Sequence, residues 1–191
     1  MRVDQAVNIE DLHRMAKRRL PKIAFDFIEG GVEDERGIET NTSAFHKHQL
    51  LPRYLVDVST RDQTKTIFGQ TFNSPFGISP TGGAGLFRYL ADTMLAQAAK
   101  DANIPYIMSG ASNDSIETCA KIAGRNHWYQ LYAARDPNIN ADLIRRAADA
   151  GCGALVLGTT SCTSTIFPVP PHAGHLVMLF GSLCPVFETE K

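Results

Sequence analysis

A chain of 191 residues has the length of one ordinary domain, and 43 % hydrophobic with 20 % charged residues is the balance of a globular protein that buries a core. A formal net charge of −1 gives no electrostatic case for nucleic acid or for an anionic membrane surface. Cys119, Cys152, Cys162 and Cys184 form no CxxC pair, so free thiols in a reducing cytoplasm are expected, with no metal site and no disulfide frame.

The first segment, MRVDQAVNIEDLHRMAKRRL, is charged throughout and lacks the apolar stretch of a secretory signal. Asn8 can cap a helix in which Ile9, Leu12, Met15, Ala16 and Leu20 recur at helical spacing. Pro21 opens a second short helix, KIAFDFIE, which Gly30 and Gly31 are expected to end through left-handed backbone angles. EDERGIETNTSAFHKH holds a third helix with acids in its first turn, where they suit the helix dipole. His46 and His48 read as solvated. TKTIFGQTFN reads as a small hairpin, and residues 1–73 together form a preface.

From Ser74 the texture changes to short apolar runs, each followed by a loop and a helix. PFGIS (75–79) precedes PTGGAG and the helix YLADTMLAQAAKDA. PYIMS (105–109) precedes GASND, where Asp114 and Glu117 suggest a capping box for IETCAKIAG. WYQLYA (128–133) precedes ARDPN and NADLIRRAADAG, closed by Gly151, and ALVLG (154–158) is the fourth run. Starts spaced by roughly 23 to 30 residues are the repeat of βα units with buried parallel strands.

Such units build either an open doubly wound sheet or a closed eight-stranded barrel. The open sheet favours GxGxxG after its first strand, and GGAGLF does not have that spacing. Instead, polar residues sit at or near the C-terminal ends of the first three strands: Ser79-Pro80-Thr81, then Ser109, then Gln130 and Tyr132. In a βα barrel those ends form the catalytic face. The fold expected is therefore α/β: a helical preface (1–73), four βα units of a barrel over 74–160, and an irregular tail over 161–191.

LPKIAFDFIEGGVEDE, PRYLVDVSTRD, SPTGG, MSGASNDSIE and WYQLYAARD together resemble the FMN-dependent L-2-hydroxy-acid oxidases and dehydrogenases. That family includes glycolate oxidase, flavin-type lactate dehydrogenases and (S)-mandelate dehydrogenase, and the likeness runs from about Asn8 to Leu157. The resemblance implies FMN lying across the barrel's C-terminal face, and oxidation of a small 2-hydroxy acid to a 2-oxo acid by hydride transfer to flavin N5. It implies that Pro80, Thr81 and Gly82 line the flavin, that Ser109 and Gln130 bond its polar edge, and that Tyr132 presents its phenol to the substrate. Tyr132 could instead pack in the core, Ser109 cap a turn and Gln130 bridge two strands; their place at successive strand ends favours function. His127 reads as a rim residue rather than a base.

Two departures from the family pattern stand out. Phe27 occupies a substrate-binding position where the family has Tyr, so the ring is kept and the carboxylate-binding hydroxyl is lost. PTG in place of the commoner PTA resembles mandelate-type members and suggests a larger or aromatic substrate. At the fourth strand the family's Thr-x-Asp-x-Pro becomes Gly158, Thr159 and Thr160, with Gly158 where the flavin-contacting Thr belongs. Beyond Thr160 nothing matches.

From Ala150 to Phe187 there is no Asp, Glu, Lys or Arg, a shift that reads as a change of reading frame, with a small independent module as the alternative. HLVMLFGSLCPVF (175–187) is short of the ~18 apolar residues a membrane span needs. The family's Lys, its His base, its carboxylate-binding Arg and its phosphate site have no counterpart here, and His172 and His175 lie in the unmatched tail. The expectation is a chain inactive by itself, or alternatively a non-catalytic half barrel that binds flavin or a partner. Uncovered barrel edges should make it aggregate, pair with a second copy or stay partly molten. A Schiff-base aldolase would need a lysine at a strand end, whereas Lys100 and Lys121 fall on helices.

Overall fold

The computed structural model describes residues 3–158 and 177–180. Two compact units divide the chain, Met1–Arg61 and Asp62–Lys191. The boundary lies before the hairpin, which the sequence had grouped with the preface.

In the first unit, α1 (Ile9–Arg19), α2 (Lys22–Glu29) and α3 (Arg36–Ala44) follow one another. Asn8 caps α1 as expected: its Oδ1 accepts the Asp11 N–H at 2.8 Å, and the Asp11 carboxylate accepts the Val7 N–H at 3.1 Å in return. His13 of α1 meets Glu29 of α2 at 2.8 Å and packs its ring on Phe25, centroids 5.4 Å apart. α2 does not end through a left-handed glycine. Gly30 is extended (φ −74, ψ 147), and its N–H still bonds Asp26 O at 3.0 Å.

The second unit opens with the expected hairpin, β1 (Lys65–Ile67) antiparallel to β2 (Gln70–Phe72). Next comes a four-stranded parallel sheet in chain order: β3 (Tyr106–Met108), β4 (His127–Tyr132), β5 (Leu155–Gly158) and β6 (Val177–Phe180). Helices α4 (Ala91–Ala102), α5 (Ile116–Ala123) and α6 (Pro137–Asp149) precede β3, β4 and β5 respectively, which is the βα alternation the spacing predicts. PFGIS, predicted as a full strand, contributes only a parallel bridge between Ile78 and Tyr106. Ile78 donates to Pro105 O at 2.8 Å and accepts from Ile107 at 3.0 Å; Pro75, Gly77 and Pro80 leave no run of residues to extend the ladder. β6 falls in the tail expected to be irregular. Val177–Phe180 is a short continuous apolar run, which periodicity alone cannot assign to strand or helix.

The sheet has two dissimilar faces. On one, Tyr106, Met108, Tyr129, Leu131 and Leu155 pack against Ala96 and Ala99 of α4, Ile116, Cys119 and Ala123 of α5, and Ala147 of α6. On the other, Ile107, Trp128, Ala154 and Val156 pack against Phe72 of the hairpin. The Phe72 and Trp128 rings meet edge to face at 6.1 Å, a geometry worth about 1 kcal/mol beyond area burial. Two asparagines pin the hairpin there. Asn126 Oδ1 accepts from Gln70 Nε2 at 2.8 Å, and Asn103 Nδ2 donates to Asn73 Oδ1 at 2.9 Å.

Several local expectations shift by a residue or by a face. The α5 cap is Ser115, whose Oγ accepts the Thr118 N–H at 3.1 Å, while Asp114 takes the Thr93 N–H of α4 at 3.3 Å. Glu117 is held by the guanidinium fork of Arg146 at 2.8 and 3.0 Å, which lowers its carboxyl to a pKa of about 2. Cys119 and Cys152 are free and buried, their thiols pushed up to about 12 by burial, so they are poor nucleophiles. Cys162 and Cys184 lie outside the described residues.

His127 is not a rim residue. It is the first residue of β4, shares the helix-facing side with Tyr129, and is 0 % exposed. Its ring lies 5.8 Å from that of Tyr106, and neither nitrogen has a partner among the described residues. Burial pushes its pKa from 6.5 down to about 4. As pH falls the unfolded chain therefore takes up the proton first. The resulting stability is complete above pH 6.5 and is lost as pH falls through 4. Urea unfolding between those limits should show the parent losing about 3 kcal/mol more than a His127→Leu variant; parallel pH profiles for the two would contradict this.

Candidate functional site

Along a strand, side chains two residues apart share a face, so the hairpin-facing row continues beyond its apolar part. After Ile107 comes Ser109; after Trp128 come Gln130 and Tyr132; after Val156 comes Gly158. The same face is thus apolar toward the N-terminal ends of the strands and polar toward their C-terminal ends.

The loop that follows Ile78 docks on the loop that follows β3. Gly83 donates to Ala111 O at 2.9 Å, and Gly85 donates to Asn113 Oδ1 at 3.0 Å. A Cβ on Gly82 would lie 3.3 Å from Ala111 Cβ and 3.6 Å from Ser109 Oγ, which brings Gly82 beside Ser109. Pro80 is half-buried and Thr81 exposed, its hydroxyl donating to Ser79 O at 3.5 Å. Ser109 is buried, and its Oγ accepts the Ala111 N–H at 3.1 Å, closing the turn that carries Gly110 past β4.

Gln130 is 7 % exposed, and its Oε1 has no hydrogen-bond partner among the described residues. An unpaired buried acceptor is costly unless a ligand supplies the missing donor. Tyr132, 37 % exposed, ends β4, and its ring lies against Gly110 on one flank and Gly158 on the other. Asn140 of α6 steadies the chain just past it, accepting from Ala134 N at 2.7 Å and donating to Ala134 O at 2.9 Å.

Gly82, Ser109, Gln130 and Tyr132 are therefore brought to one polar strand-end region. Phe27 belongs to the first unit, on α2, where it is 74 % exposed. No cluster of metal-ligating side chains occurs among the described residues. Gly110 and Asn140 escaped the sequence reading. Gly110 could have been noticed as the small residue that follows a polar strand end where a neighbouring strand must pass closely. Asn140, mid-pattern in a helix, left no such sign.

Polar side chains from successive parallel strands, gathered at the strands' C-terminal ends and backed by helices, make an α/β protein whose βα units are arranged as in part of a βα barrel. The chain belongs to the FMN-dependent dehydrogenase family, whose model matches residues 16–163; FMN is the cofactor of that family. It is 39 % identical over 151 residues to a peroxisomal (S)-2-hydroxy-acid oxidase, GLO4, of Oryza sativa subsp. indica, covering 79 % of this chain and 41 % of that protein. It is 35 % identical over 186 residues to (S)-mandelate dehydrogenase of Pseudomonas putida, covering 93 % of this chain and 47 % of that one. Among solved structures, a mandelate oxidase complex superposes with a TM-score of 0.75 at 37 % identity, over 80 % of this chain and 46 % of that one. The monotopic membrane protein (S)-mandelate dehydrogenase superposes at 0.77 and 37 % identity, over 81 % and 41 %. The chain thus spans less than half the length of these relatives. Among the described residues no helix is long and apolar enough to cross a membrane.

Residues kept for a ligand should contribute little to folding. Replacing Tyr132 by Phe should leave the unfolding free energy within about 0.5 kcal/mol of the parent. Gln130→Leu, which removes the orphaned acceptor, should be neutral or stabilising in urea unfolding. A loss of several kcal/mol in either would mark a structural residue.

Proposed function

We propose that this chain supplies the wall of an FMN-dependent 2-hydroxy-acid oxidising site that grips the edge of the flavin ring. The observation that carries the reading is the orphaned, buried Oε1 of Gln130, set beside Ser109 and Gly82 at the polar ends of the strands. The residues present fit a flat heteroaromatic ring with donors and acceptors along one edge. Gln130 offers an unpaired acceptor, Ser109 retains a hydroxyl proton to donate, and Gly82 presents bare backbone where a ring face must come close. FMN, when bound, accepts the hydride from the carbon that carries the substrate's hydroxyl group.

In this reading Gln130 and Ser109 fix the ring's position, and the Pro80–Gly82 backbone lies along it. Tyr132, half open to solvent and braced between two glycines, orients the hydroxyl or carboxylate of a small 2-hydroxy acid. Mandelate-type relatives and the PTG form favour a larger or aromatic acid.

No base is at hand in the described part of the second unit. His127, its one histidine there, faces the helices with its pKa lowered to about 4. His172 and His175 lie outside the described residues. In this reading the 191-residue chain holds a flavin, and turnover awaits a base that the described residues of the second unit do not offer as a histidine.

Titration of the purified chain with FMN and with riboflavin tests this reading. Contacts confined to the ring should give the two flavins similar affinities, and Gln130→Leu should weaken both about tenfold. No oxidation of mandelate, glycolate or lactate with an artificial electron acceptor is expected. Absence of flavin binding would overturn the site, and turnover that Tyr132→Phe abolishes would overturn the claim of inactivity.

A further inference from the structure

Between Ile78 and Gly83 the chain crosses the candidate site with no backbone–backbone hydrogen bond among the described residues. The one hydrogen bond within residues 79–82 runs from the Thr81 hydroxyl to Ser79 O, at 3.5 Å. A backbone span without ladder or turn bonds has no position of its own, so the anchors at its ends decide where it lies.

The two anchors are built differently. Ile78 is held by main chain alone, donating to Pro105 O at 2.8 Å and accepting from Ile107 N–H at 3.0 Å. At the far end the helical turn Ala84–Leu86 rests on the loop that follows β3. Main chain supplies one bond there, from Gly83 N–H to Ala111 O at 2.9 Å. A side chain supplies the other: Asn113 Oδ1 accepts the Gly85 N–H at 3.0 Å. The contact is close along the side chain, since a Cβ on Gly85 would stand 2.9 Å from both Cβ and Cγ of Asn113.

The loop that carries Asn113 is itself braced. Ser109 O accepts the Ser112 N–H at 3.1 Å, Ser112 Oγ accepts the Asp114 N–H at 3.1 Å, and Ser115 then caps α5. A carboxamide oxygen projecting from so constrained a loop can fix its neighbour. Asp114, next in the chain, makes a similar contact further along the same returning segment, accepting the Thr93 N–H of α4 at 3.3 Å. Two adjacent side chains therefore tie that segment at two points, one beside Gly82 and one at the start of α4.

We propose that Asn113 is a positioning residue: acting through Gly85, it sets where the backbone of residues 79–82 lies. That this backbone lies along a flavin ring rests on the function proposed above; the clamp itself does not. Asp114 is the internal control, because it ties the same segment away from the ring-lining span.

Three variants of the full chain test this: Asn113→Ala, Asp114→Ala, and Asn113→Asp, which keeps an acceptor oxygen of the same reach. Each is followed by thermal unfolding, by riboflavin titration and by NMR relaxation of the Thr81 and Gly82 amides. Both alanine variants should lower the unfolding midpoint by about 2 °C, so stability does not separate them. Only Asn113→Ala should weaken riboflavin binding, about fivefold, and only it should lower the order parameters of Thr81 and Gly82. Asn113→Asp should keep both near the parent.

Order parameters at Thr81 and Gly82 that stay unchanged in Asn113→Ala, or fall equally in Asp114→Ala, would overturn the clamp. Riboflavin affinity that survives Asn113→Ala but falls on Gln130→Leu would overturn its use in holding the ring, and leaves the flavin site standing. If the parent binds no riboflavin the flavin reading fails, and the relaxation arm still decides the clamp.

Discussion

The parallel register that pairs Met108 with Tyr129, and Gln130 with Val156, fixes which side chains share a face, and the rest of the second unit depends on it. One row alternates into the helices and forms the larger core; the other runs from Ile107, Trp128 and Val156 to Ser109, Gln130 and Tyr132. A slip of one residue in β4 would bury Gln130 and Tyr132 against α5 and α6, and would turn Tyr129 and Leu131 toward the face that the hairpin covers. The apolar packing of Trp128 on Phe72 and the polar chemistry two residues further on are therefore products of a single geometric choice. Strong burial at one end of the strand enforces a weakly stabilised arrangement at the other.

That division explains what could be read from residues alone. The βα alternation, the cap at Asn8 and the polar strand ends follow from local pattern, and the fold displays them. Other features depend on neighbours distant in sequence. PFGIS has the composition of a strand, but its partner offers only Tyr106 for a bridge, and the flanking prolines prevent more. His127 has an ordinary sequence context, and only the β4 register sends it to the helix side. Ser115 rather than Asp114 caps α5 because Asp114 is drawn to the N-terminus of α4, a contact across 21 residues.

The two halves of the candidate site were legible to different degrees. Ser109, Gln130 and Tyr132 announced themselves as polar residues where apolar runs end. Gly110 did not, because its close approach to Gln130 and Tyr132 of the neighbouring strand is set by the sheet and not by its own sequence context. Phe27 illustrates a further limit: its identity was informative against a family pattern, while its place on α2 says only that the ring is exposed in the first unit. Asn126 and Asn103 are similar cases, since a side-chain amide that ties a hairpin to a distant helix end has no local signature.

The pinned hairpin has a consequence for the order of events as the polypeptide is made. Gln70 bonds Asn126 across 56 residues, and Phe72 finds its aromatic partner only at Trp128. During synthesis the hairpin leaves the ribosome long before the strands it covers, with Ile67 and Phe72 bare to solvent. Closure over so long a loop is slow compared with helix formation. Nascent chains arrested shortly before and shortly after residue 128 has emerged should therefore differ in protease resistance at this hairpin.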